Sequence, residues 1–125
     1  MIKNKHMIFL LEDSAYQRDQ IIDTLKKADR KIIYAGTIRK AQNLYNSNIS
    51  AIDLFILDLK LPDGNGMDFL QRIRDTLCDT PVIITSATIT DAIREQAKGL
   101  KVNTFFEKPV IMDNLEQAVS NVLHA

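Results

Sequence analysis

A chain of 125 residues with 46% hydrophobic and 26% charged residues has the make-up of one globular domain, expected to bury roughly two-thirds of its unfolded surface. Its 16 basic and 16 acidic residues cancel, which removes the electrostatic case for nucleic acid or an anionic membrane surface as a main partner. No apolar run nears the ~20 residues of a membrane span, and the single cysteine, Cys78, excludes an internal disulfide framework and suits a reducing, cytoplasmic compartment. With only His6 and His124, no His/Cys metal site is available. Residues 1–6 lead into a strand-length apolar run without a small-residue cleavage site, so no signal peptide is expected.

The run 7–11 predicts a first strand, followed by Glu12-Asp13. Ser14 predicts a helix N-cap, with Gln17 completing a capping box and Ile21, Ile22, Leu25 and Ala28 forming an inward stripe. A second strand is expected over 31–35, and Gly36-Thr37 turns into a helix with Ile38, Ala41, Leu44 and Tyr45 on one face. Residues 53–57 form the most apolar strand, which runs into Asp58 and then Pro62, Gly64 and Gly66. From Gly66 a third helix turns Met67, Leu70, Ile73 and Leu77 inward. Pro81 breaks the chain before a fourth strand over 82–85 and Ser86-Ala87. Thr90 caps a helix carrying Ala92, Ile93 and Ala97, a short fifth strand covers 103–106, and Glu107-Lys108-Pro109 precedes a last helix with Met112, Leu115, Ala118, Val119, Val122 and Leu123 inward.

Five buried strands alternating with five helices predict an α/β fold, a doubly wound five-stranded parallel sheet covered on both faces. No repeat or linker divides 1–125, so a single domain is expected. In such a sheet the carboxyl ends of all strands share one edge, where ligands bind. That edge collects Glu12 and Asp13, Asp58, Ser86 and Lys108.

Like-charged carboxylates about 4 Å apart repel by roughly 4 kcal/mol per pair at an effective dielectric near 20. A hard divalent cation relieves this, and carboxylate oxygens suit Mg²⁺, with Mn²⁺ as a less selective substitute. Taken singly, Glu12-Asp13 is a charged turn, Ser86 a turn residue, Lys108 a surface lysine and Cys78 a small hydrophobe. Together, a nucleophilic carboxylate, a cation site, an ammonium and a hydroxyl make a phosphoryl-transfer site.

These residues resemble the receiver domain of two-component response regulators. The resemblance spans the chain and rests on Glu12-Asp13, on Asp58 followed by Leu61-Pro62-Asp63-Gly64, on Ser86-Ala87 and on Lys108-Pro109. It implies the flavodoxin-like strand order 2-1-3-4-5. It implies Asp58 as phosphoacceptor, supplied by phosphohistidine on a sensor histidine kinase or a histidine phosphotransfer protein. Glu12, Asp13, Asp58 and the backbone carbonyl of Lys60 become the Mg²⁺ ligands, and Ser86 and Lys108 the phosphoryl contacts. Phe105 takes an aromatic switch position. It fills the space that Ser86 vacates, which remodels the surface of the fourth helix, fifth strand and fifth helix for a downstream target protein. A cis bond is expected between Lys108 and Pro109. The implied domain is a signalling switch rather than a conventional enzyme, catalysing its own phosphotransfer and autodephosphorylation. Serine stands for the commoner threonine at 86, phenylalanine for tyrosine at 105, and Lys101-Val102 for a frequent Gly-Ala pair. Lys60 and Thr88 border the access path and are expected to tune phosphoryl lifetime.

Three other readings fit less well. A module that signals without phosphorylation would lack one of these acids, the hydroxyl or the lysine. A flavin carrier would want an uncharged phosphate loop after the first strand, where Glu12-Asp13 repels phosphate. A haloacid-dehalogenase-type phosphatase would usually place an aspartate where Lys60 stands.

Overall fold

The computed structural model describes residues 5–124. The expectation about a leader falls largely on residues 1–4, outside the described residues. Strands β1 (His6–Leu11), β2 (Arg30–Ala35), β3 (Leu54–Asp58), β4 (Val82–Ser86) and β5 (Val102–Glu107) alternate with helices α1 (Ala15–Leu25), α2 (Ile38–Asn46), α3 (Gly66–Asp75), α4 (Asp91–Ala97) and α5 (Met112–Leu123). The strands form one parallel sheet in the order β2-β1-β3-β4-β5, the expected order. A two-stranded hairpin, Lys60–Leu61 against Gly64–Asn65, shapes the loop after β3.

Alternation along the strands divides the core in two. Phe9, Leu11, Phe55, Leu57 and Ile84 face α2, α3 and α4, where they meet Tyr45, Phe69, Leu70 and Ile73. Ile8, Leu10, Leu54, Ile56 and Ile83 face α1 and α5, where they meet Ile21, Leu25, Leu115 and Val119. Each such side chain contributes roughly 1.5–3 kcal/mol of transfer free energy on burial. All five residues of β3 are buried, as a central strand covered on both faces must be. Among the described residues no helix is long and apolar enough to cross a membrane.

Three sequence expectations are corrected. Helix α1 ends at Leu25 rather than near Ala28, which is exposed. The buried Arg30 side chain donates to the Leu25 carbonyl at 2.9 Å, satisfying an acceptor that a further turn of helix would have used. Leu77 is not an inward residue: it is 94% exposed and stands at φ 62°. Helix α3 stops two residues earlier, where Thr76 donates to the Ile73 carbonyl at 2.6 Å and Arg74 takes the carbonyls of Leu100, Cys78 and Thr80. Phe69 takes the inward place instead, stacked on Phe9 with ring centroids 5.8 Å apart. Ala92 is exposed too, so α4 buries only Ala97, with Ile93 half-buried.

Candidate functional site

The carboxyl edge of the sheet carries a cleft of about 680 Å³ whose walls include Asp13, Asp58, Lys60, Ser86, Thr88 and Lys108. The residues at this edge arrive by different local devices. Glu12 continues β1, its N–H donating to the Ala35 carbonyl at 3.1 Å. Ser14 caps α1 by accepting from the Gln17 N–H at 3.2 Å. The other half of the expected capping box is replaced, because the Ser14 N–H donates to Glu12 Oε2 at 3.2 Å.

Asp58 ends β3 and is 4% exposed. Its backbone is pinned from behind by Gly66, where any Cβ would overlap the Asp58 carbonyl oxygen. The loop between them is tied to α2: Asp63 Oδ1 accepts from the Ile38 N–H at 2.7 Å and Oδ2 from the Arg39 N–H at 3.0 Å. These two bonds, to a helix N-terminus, hold the Asp63 carboxyl below its usual range.

Glu12, Asp13 and Asp58 each offer a carboxylate oxygen within 4.8 Å of the others. Lys108 Nζ lies 2.9 Å from Glu12 Oε1 and 2.8 Å from Asp58 Oδ2. The Lys108 N–H donates to the Ser86 carbonyl at 2.8 Å, and the Lys108–Pro109 bond is cis, as expected. Glu12 is 1% exposed, and burial pushes its carboxyl up; the hydrogen bond from Lys108 opposes this, and repulsion from Asp58 adds to it. Burial opposes the charge on Lys108 most strongly, yet its bonds to Asp58 and Glu12 outweigh that and hold the ammonium above its usual range. One ammonium is shared by two acids, so it stays charged while Glu12 bears the strain.

The donor set fits a hard divalent ion. It offers only oxygen, and the formal charges of three carboxylates and one ammonium sum to −2. Lys60 lies on the same wall, its N–H donating to Asp58 Oδ1 at 3.3 Å. Ser86 Oγ donates to the Thr88 carbonyl at 3.0 Å and accepts from the Thr88 N–H at 3.4 Å. Phe105 pairs with Ile84 of β4 and is half-buried, with the Arg94 guanidinium 4.9 Å above its ring.

Glu12, Asp13, Asp58, Ser86 and Lys108 thus share one edge, while Phe105 stands apart from the acids. Arg94 and Arg18 escaped the sequence reading, and Asp63 entered it as part of the motif after Asp58 but not as a partner of α2. Arg18 Nη1 donates to the Glu12 carbonyl at 3.1 Å. Nothing in residue spacing marks contacts of this kind, which exist only once the chain has folded.

Known proteins match this architecture. A solved structure of the non-phosphorylated HemR receiver domain from Leptospira biflexa superposes with a TM-score of 0.89 at 30% identity, covering 97% of this chain and 96% of that one. The receiver domain of a LuxO repressor protein from Vibrio parahaemolyticus gives a TM-score of 0.86 at 30% identity, with 96% and 91% covered. The transcriptional regulatory protein CrdR of Helicobacter pylori is 27% identical over 113 residues, 90% of this chain and 52% of that protein. CiaR of Streptococcus pneumoniae is 27% identical over 93% of this chain and 50% of its own length. The chain therefore spans about half the length of these curated relatives. A family profile described as "Response regulator receiver domain" matches residues 8–120, and the chain belongs to that family.

Proposed function

We propose that Asp58 accepts a phosphoryl group from phosphohistidine on a sensor histidine kinase or a phosphotransfer protein. The observation that carries this is the division of labour among the three acids. Glu12 has one oxygen on the Ser14 N–H and the other on Lys108, and does not line the cleft. Asp13 is exposed. Asp58 both lines the cleft and touches the ammonium, at 2.8 Å.

An Asp58 carboxylate oxygen bonds to phosphorus as the P–N bond breaks; the electron pair returns to the imidazole, which is reprotonated by solvent. Lys108 already contacts Asp58 and balances charge arriving on the phosphoryl oxygens. The Ser86 hydroxyl exchanges its bond to the Thr88 carbonyl for one to the phosphoryl group. Glu12, Asp13, Asp58 and the Lys60 carbonyl hold Mg²⁺, which supplies electrostatic neutralisation when bound. Loss of the phosphoryl group to water resets the domain, so the chain catalyses both its own labelling and its own reset. The response to phosphorylation passes through Phe105 to the α4, β5 and α5 surface, where a downstream protein reads it in the cytoplasm.

Acetyl phosphate tests the acceptor. In Mg²⁺ buffer the wild-type chain is expected to gain one phosphoryl group by intact mass, and Asp58→Asn none. Equal labelling of a folded Asp58→Asn variant would remove Asp58 from this role.

A further inference from the structure

We infer that Arg18 is a positioning residue for the acidic turn: it fixes the peptide joining Glu12 to Asp13, and Tyr34 holds Arg18 in place. It rests on the metal-binding role given above to Glu12, Asp13 and Asp58. Every other polar group of Glu12 is held by the body of the fold. Its N–H goes to the Ala35 carbonyl, Oε2 to the Ser14 N–H and Oε1 to Lys108. Its carbonyl oxygen is bound by the Arg18 side chain, with Nη1 at 3.1 Å. That carbonyl belongs to the peptide leading directly to Asp13, the one exposed acid of the cluster. Fixing the peptide plane fixes the Asp13 Cα and its N–Cα bond, the axis about which the Asp13 side chain is placed.

Arg18 is itself built in. Its guanidinium carbon lies 5.0 Å from the centroid of the Tyr34 ring, on the neighbouring edge strand β2. Gly36 supplies the floor, since a Cβ there would stand 3.3 Å from Nη1. Among the described residues Arg18 has no carboxylate within 4.0 Å, so its partners are a carbonyl and a ring rather than a counter-ion. Mg²⁺ demands near-ideal octahedral geometry, so a misplaced carboxylate loses affinity even when its charge is intact. Partners outside the ligand shell typically change metal affinity by about 10–100-fold.

The sign of the effect separates positioning from bulk electrostatics. A positive charge beside a cation site repels the cation, so deleting it by charge alone tightens binding. Positioning predicts the reverse. Titration calorimetry with Mg²⁺ alone is expected to show Arg18→Met binding about 10-fold more weakly than wild type. Tyr34→Phe should match wild type, since the ring remains, and Tyr34→Ala should fall between. The Asp13 amide resonance should shift in metal-free Arg18→Met, which a loss of stability elsewhere would not produce. Equal or tighter Mg²⁺ binding by Arg18→Met overturns the inference. Should Arg18→Met fail to fold, Arg18→Lys and Tyr34→Ala carry the same test: wild-type affinity in both overturns it. A wild-type chain that does not bind Mg²⁺ at all removes the metal role of the acids first, and this inference with it.

Discussion

Glu12 and Glu116 both accept hydrogen bonds from a cation, and their carboxyl groups shift in opposite directions. At Glu116 the guanidinium of Arg30 makes a bidentate pair, with Nη1 to Oε1 at 2.6 Å and Nη2 to Oε2 at 3.0 Å. Lys27 adds a second cation at 3.3 Å, and Ser120 donates at 2.7 Å. The Arg30 bond is the main cause that holds the Glu116 carboxyl at about 2, against the cost of its burial. At Glu12 the ratio is inverted: two carboxylates, Glu12 and Asp58, share the one ammonium of Lys108, with Asp13 beside them, and burial pushes Glu12 up. Two cations on one acid make a finished clamp between β2 and α5. A cluster of three acids in which one ammonium serves only two makes a site still short of positive charge, beside a cleft. The charge count distinguishes a joint from a workplace where residue type does not.

The largest way to break this contrast is Arg30→Ala. Arg30 is 5% exposed, and its loss leaves Glu116 and the Leu25 carbonyl without their main partner. Urea unfolding should show a loss of about 3–5 kcal/mol, while Mg²⁺ affinity of the folded fraction stays at the wild-type value. A loss under about 1 kcal/mol would demote the clamp to an ordinary surface pair.

Acid titration gives the next effect. The folded Glu116 carboxyl lies at about 2 against an ordinary 4.5, so its stabilisation is full above 4.5 and is lost as pH falls from there toward 2. Since the side chain is 23% exposed, about 2 kcal/mol is expected after screening, and Glu116→Gln should remove this acid slope. Glu12 carries the opposite sign and the smallest effect. Its folded carboxyl is raised, so its contribution is full at low pH and falls as pH rises through the raised value. In metal-free buffer Glu12→Gln should therefore raise stability slightly near neutral pH, and Mg²⁺ should stabilise it less than wild type. A destabilised Glu12→Gln would mean that the bond to Lys108 outweighs the crowding.

Most of the fold and the core of the site were legible because they depend on local patterns. Four apolar residues before Asp58 announce a central strand, and a strand end announces the shared edge. Thr90 and Ser14 announce caps that the structure makes, with Thr90 Oγ1 accepting from the Ile93 N–H at 3.1 Å. The misses come from contacts between distant parts of the chain. Leu77 sits at the right spacing to continue the α3 stripe, but Arg74 and Thr76 end the helix first. Lys101 adopts φ 56° where a glycine is commoner, a conformation no propensity for lysine suggests. Arg30 and Glu116 are 86 residues apart, and neither carries a mark of the other. Arg18 reads as a solvated helix residue until Tyr34 and the Glu12 carbonyl close around it.

The bare Cα of Gly66 against the Asp58 carbonyl has a practical consequence for anyone building a fluorescent sensor from this chain. Helix α3 cannot slide relative to the acid at the end of β3 without a collision, and five of its residues are buried. A dye on its outer face, at Gln71 for example, therefore serves as a fixed reference. Helix α4, with only Ala97 fully buried, is where the responsive dye belongs.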